Sequence, residues 1–126
     1  MLSPYLKFYS CYSSIVYLYL VPKTPPPNIT FTVNTTDSIY IHWLQMDQES
    51  ANGNITGYLI FYRNYLHSAE SYKVVATEEL DIHLHGLEPG TKYAVRIAAY
   101  NENGIGIASK ILYSATNIAG MLSSMF

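Results

Sequence analysis

The sequence predicts an all-β fold, a Greek-key sandwich of seven short antiparallel strands, and three observations carry that prediction. Apolar residues recur with a period of two, as in strands that bury one face. Turn signals separate these stretches, with no helical period between them. Finally, Leu87-Glu88-Pro89-Gly90-Thr91-Lys92-Tyr93 is a Pro-Gly turn that delivers a tyrosine onto the inward side of a strand, the tyrosine corner of Greek-key sandwiches.

The elements follow in chain order. Val21-Pro22-Lys23-Thr24-Pro25-Pro26-Pro27 is a stiff polyproline-type linker that ends one unit and begins another. In the first strand Ile29, Phe31 and Val33 alternate with Asn28, Thr30, Thr32 and Asn34. After the Thr36-Asp37 turn, Ile39, Ile41 and Trp43 alternate with Tyr40, His42 and Leu44. A polar loop over 45–54 leads to a third strand, with Tyr58, Ile60 and Tyr62 inward and Leu59, Phe61 and Arg63 outward. Residues 72–76 make a short edge strand, and 80–84 follow with Ile82 and Leu84 inward. Residues 93–100 form the strand behind the corner, and 106–113 close the sheet after the Asn103-Gly104 turn. Each alternating face buries against the opposite sheet. Trp43 is the natural centre of that interior, since aromatic rings supply the largest single burial; Tyr58, Tyr62, Leu87 and Tyr93 are expected around it.

Composition narrows the function. At 126 residues the chain suits one domain with a real core. Its net charge of −2, with 13% charged residues, offers no electrostatic footprint for nucleic acid or an anionic membrane. The single cysteine, Cys11, rules out an intrachain disulfide, so packing alone must hold the sandwich. That excludes the Cys–Trp–Cys immunoglobulin domain and leaves the compartment open. Tyr5, Tyr9, Tyr12, Tyr17 and Tyr19 crowd the start of the chain without any periodic order. The apolar run there, from Phe8 to Val21, is shorter than the about 20 residues of a spanning helix. It reads either as the hydrophobic part of a secretory signal or anchor, or as a leader unrelated to the fold; no small-x-small cleavage site precedes the prolines. The expected organisation is a leader and linker over 1–23, the domain over 24–116 and a tail over 117–126.

Trp43, Gly57-Tyr58-x-Ile60-x-Tyr62-Arg63, Leu87-x-Pro89-Gly90-Thr91-x-Tyr93 and Asn101-x-x-Gly104-x-Gly106-x-x-Ser109 together resemble a fibronectin type III domain, over residues 24–116. The resemblance implies a seven-stranded immunoglobulin-like sandwich. The stretch from Asn52 to Tyr62 is similar to modules of the netrin-receptor, neogenin and protogenin group, and of receptor tyrosine phosphatases and neural adhesion molecules. It implies a non-catalytic protein-binding or spacer module of an adhesion or guidance receptor ectodomain. Its partner would be an extracellular protein, with no cofactor, and membrane attachment would come from parts outside the module. Two other settings stay open: a structural spacer of an intracellular filament protein, and an accessory module of a secreted or membrane enzyme.

Three features point to chemistry. Asn28, Asn34 and Asn54 each open an Asn-x-Thr sequon, the first two on the outward side of the first strand and the third in a loop, where a glycan fits. Leu59, Phe61 and Arg63, with Arg96 and Tyr100 from the strand expected beside them, put aromatic and arginine side chains on one firm outer face, the composition of a binding hot spot. Asp81, His83 and His85 lie outward at spacing two, with His42 outward on the neighbouring strand; such imidazoles hold a divalent metal, or are plain exposed histidines, and no metal ligand set is assigned. Enzyme signatures fail. Gly104-Ile105-Gly106 links strands instead of opening a helix and lacks a third glycine at Ser109, so it is no phosphate cradle. There is no Gly-x-Ser-x-Gly elbow, Cys11 has no activating base in view, and no catalytic residue is expected.

Overall fold

The computed structural model describes residues 20–32, 35–68 and 71–118. Two antiparallel sheets enclose one apolar interior. One is three-stranded, in the order β1-β2-β5: β1 (Thr30–Thr32), β2 (Ile39–His42) and β5 (Asp81–Leu84). The other runs β4-β3-β6-β7, built from β3 (Ile55–Asn64), β4 (Lys73–Thr77), β6 (Lys92–Asn101) and β7 (Gly104–Ile105), with β8 (Leu112–Ala115) also paired to β6. The crossing from β4 to β5 moves the chain between sheets and makes this an immunoglobulin-like sandwich.

The period-two pattern becomes the core because successive side chains of a strand point to opposite faces. Ile39 and Ile41 from one sheet meet Tyr58, Ile60, Val95 and Ile97 from the other. Each fully buried aliphatic side chain stabilises the fold by about 1.5–3 kcal/mol. Trp43 is 2% exposed and takes the Tyr58 ring edge-on, centroids 5.2 Å apart. Ile29 and Phe31 pack from the border, as does Tyr62. Tyr62 is half-buried instead of central: its neighbour on edge strand β4 is Lys73, which keeps that corner open to water.

The corner closes as expected. Tyr93 is 6% exposed, and its hydroxyl accepts the Glu88 N–H at 2.8 Å. Gly90 supplies the turn's positive φ of 56°, which a Cβ disfavours. The buried Thr116 stitches the corner to the residue after β8: its hydroxyl donates to the Glu88 carbonyl and accepts the Thr91 N–H.

The structure departs from the sequence pattern in these places. First, the loop over 45–54 contains a short helix, α1 (Gln48–Ala51). Asp47 caps it, accepting the Ser50 N–H at 2.7 Å, and Asn52 ends it in the left-handed region at φ 54°. Second, the expected strand over 106–113 is not continuous: β7 ends just before it, at Ile105, and only its last two residues belong to a strand, β8. Gly106 lies against Pro22, whose Cβ would sit 2.6 Å from any Cβ added there. Further along, Ser109 Oγ accepts the Ile97 N–H at 3.0 Å, so a side chain replaces one rung of the backbone ladder. Third, β4 and β5 each begin one residue later than the pattern suggests, at Lys73 and Asp81.

The start of the proline-rich segment is attached to the sandwich. Asn101, 5% exposed, donates from Nδ2 to the Leu20 carbonyl at 2.8 Å and accepts the Asn103 N–H at 2.8 Å. Asn52 Nδ2 donates to the Val21 carbonyl and the Lys23 N–H to the Ser50 carbonyl, while Pro22 is buried.

Candidate functional site

The outer face of the larger sheet is organised in cross-strand rows. Ala76, Leu59 and Ala98 form one row, and Val74, Phe61 and Arg96 the next. Arg63, Ala94 and Tyr113 continue it toward the corner, and Gly57, Tyr100 and Ile105 toward the opposite end. The structure thus brings together all five residues expected here: Leu59, Phe61, Arg63, Arg96 and Tyr100. Each is half-buried. Ala94 and Ala98 face outward yet are 0% exposed. The result is a firm apolar floor. Val74 (52% exposed) and Ile105 (55%) extend it at the sheet edges.

Within the set, the five side chains have different duties. Arg63 Nη1 donates to the carbonyls of Tyr65 at 3.1 Å and His67 at 2.6 Å, and the guanidinium carbon lies 5.1 Å from the Tyr72 ring centre. It therefore holds the turn after β3. Tyr100 lies across Gly57; a Cβ at that position would stand 2.6 Å from the Tyr100 Cζ, so the ring shields a stretch of strand that lacks a side chain. Arg96 Nε donates to the Ser109 carbonyl at 2.9 Å, which fixes the guanidinium over the face. Leu59 and Phe61 are half-buried and carry no polar group.

Val74, Tyr113, Lys92 and Tyr65 belong to the same surface and were not foreseen. Lys92 Nζ sits 4.3 Å from the Tyr65 ring centre and 4.6 Å from that of Tyr113. The signal for Val74 was present but ambiguous: Val74 and Val75 are adjacent, and only the pairing Phe61↔Val74 tells which one faces out.

The other candidates are separate from this face. Asn28 is exposed with φ 56°, its carbonyl accepting from the Thr30 hydroxyl at 3.1 Å. Asn54 is exposed just before β3, and Asn34 lies outside the described residues. His42, His83 and Asp81 share the outer face of the smaller sheet, where His42 pairs with Asp81 and Tyr40 with His83. Tyr40 donates to Asp81 Oδ2 at 2.8 Å, and this bond, with some burial and the carboxylate charge, raises the phenol pKa. The His83 ring contacts the rings of Tyr40 at 4.4 Å and His85 at 5.7 Å. Among the described residues no three His, Cys, Asp or Glu side chains converge to hold a metal ion.

Two antiparallel sheets closed by a tyrosine corner define an immunoglobulin-like β-sandwich module. The chain belongs to the fibronectin type III family, whose domain description matches residues 24–115. Domains of this family are in general non-catalytic. Rat neogenin is 37% identical over 97 residues, covering 76% of this chain and 7% of neogenin. The human cell adhesion molecule DSCAM is 30% identical over 98 residues, covering 76% of this chain and 5% of DSCAM. The chain therefore spans a small fraction of the curated relatives it matches. In fold, it is similar to the third fibronectin III domain of the human KIAA0343 protein, with a TM-score of 0.71 and 24% identity over 81% of this chain and 88% of that one. The family match and the likeness to neogenin and DSCAM support a protein-binding module.

Proposed function

We propose that this chain is a protein-binding module from the ectodomain of a cell-surface adhesion or guidance receptor. The observation that carries this reading is the 37% identity to neogenin across 76% of the chain. Its action is passive. A stiff sandwich spaces its neighbours along a receptor and offers an extracellular protein the outer sheet face around Leu59 and Phe61. Asn28, Asn34 and Asn54 carry N-linked glycans, and exposed positions at Asn28 and Asn54 support this. No catalytic step is assigned to it.

Surface labelling tests the setting. Biotinylation of intact cells that express the parent protein is expected to label it, and a protein shielded until the cells are lysed would instead fit a spacer of an intracellular filament. The sugars are tested separately. A glycosidase should increase the electrophoretic mobility of the secreted chain, by less in Asn28→Gln and Asn54→Gln variants. Unchanged mobility of the secreted wild-type chain would reject the glycosylation.

A further inference from the structure

The outer sheet face is apolar at its centre and carries charge of one sign. Arg63, Lys92 and Arg96 all belong to it, Arg63 folded onto the carbonyls of the turn after β3 and Lys92 held between the Tyr65 and Tyr113 rings, in a chain whose net charge is −2. The described carboxylates lie elsewhere, in turns, on α1 and on the smaller sheet. Arg96 is also pre-oriented. Its Nε is tied to the Ser109 carbonyl at 2.9 Å, and its Nη atoms make no further hydrogen bond to the described residues. A guanidinium fixed in that way offers a planar fork matched to a carboxylate. Phe61 is its direct cross-strand neighbour, and Leu59 stands one row away, about 7 Å along the strand.

From this charge complementarity we propose that the face docks a protein segment that presents apolar side chains flanked by Asp or Glu. The apolar side chains lie on Leu59, Phe61 and Val74, and a flanking carboxylate reaches Arg96. The proposal rests on the reading of this face as a partner surface and adds the chemistry of the partner. A second copy of the chain does not fit, because a two-fold face-to-face contact would oppose cation to cation across an apolar layer.

The test uses the full chain, isotope-labelled, and two synthetic peptides with one Leu- and Phe-containing centre. One peptide is flanked by Glu and the other by Lys. The expected result is that the Glu-flanked peptide shifts the amide signals of β3, β4 and β6 and binds at least about tenfold more tightly than its Lys-flanked counterpart. Its affinity should fall as salt is raised from about 50 to 500 mM, and the preference should shrink in Arg96→Gln. Equal binding of both peptides at this face would overturn the acidic-partner inference and leave the partner surface standing. Phe61→Glu should weaken both peptides without loss of signal dispersion; undiminished binding by that variant, or shifts confined to other strands, would overturn the partner surface itself. Binding of neither peptide would overturn the inference. So would sedimentation showing a wild-type dimer that Phe61→Glu dissolves. Should Arg96→Gln fail to fold, the salt dependence of the wild-type chain decides the charge question.

Discussion

Single atoms fix the ends of this sandwich. The Tyr93 hydroxyl is the sole acceptor for the Glu88 amide among the described residues, at 2.8 Å and partly shielded from water. Tyr93→Phe keeps the ring and removes only that acceptor. It should destabilise the fold by about 1–2 kcal/mol, the cost of leaving one shielded donor unsatisfied, read as a lower urea midpoint with an unchanged m-value. Tyr93→Ala adds a cavity, and a total of about 3–5 kcal/mol is expected. The contrast between the two variants separates the hydrogen bond from the packing of the ring. Arg63 is a residue of the same kind. It resembles a hot-spot arginine in composition, but the carbonyls it satisfies belong to its own turn.

At the scale of elements, alternation dictates which neighbour tolerates a charge. Ile60 is 0% exposed between the sheets, and Phe61 next to it faces out. Ile60→Glu should abolish cooperative folding, since it buries a carboxylate without a partner. Phe61→Glu should shift the thermal midpoint by only a few degrees, as surface substitutions do. Comparable midpoints for the two variants would contradict the assigned strand parity. This parity was legible in the sequence because β3 and β6, ten residues each, are long enough to show their period, and the corner motif anchors β6. Less was legible in the last strand. There Gly106 and Ser109 were read as motif letters, whereas their effect depends on Pro22 and Ile97, which are distant in sequence. The same limit applied to the outer face. Pattern alone placed Leu59 and Phe61 outward, but the engagement of Arg63, Arg96 and Tyr100 depends on tertiary partners. The docking of Pro22 has its own consequence. Gly106→Ala would push the new methyl into the Pro22 backbone, so about 1–3 kcal/mol of stability should be lost. Hydrogen exchange at the Lys23 amide, which donates to the Ser50 carbonyl at 2.7 Å, should accelerate more than exchange in β2. Equal acceleration throughout would mean that the segment does not open by itself.

At the scale of the whole molecule, three groups among the described residues have shifted pKa values and make stability depend on pH. Burial beside the Trp43 ring raises Tyr58 above its ordinary 10.0. The hydrogen bond to Asp81, then burial and the carboxylate charge, raise Tyr40 above the same value. Both phenols therefore keep their protons in the folded chain at a pH where the unfolded chain has released them. Unfolding then releases protons, so this stabilisation is complete below about pH 10 and is lost as pH rises through the folded values. Asp47 works in the opposite sense. The Ser50 amide and hydroxyl hold its pKa below the ordinary 3.8, so the stability it lends α1 is present above that value and disappears as pH falls through the folded one. Urea midpoints should accordingly decline on the alkaline side as tyrosinate absorbance grows. Tyr58→Phe should flatten that decline, because the substituted ring has no proton to lose, while Tyr40→Phe removes the part that depends on Asp81. An alkaline limb unchanged by both substitutions would mean that neither phenol is held neutral by the fold. That would place the Tyr58 hydroxyl in water, outside the layer where Trp43 and the two sheets meet.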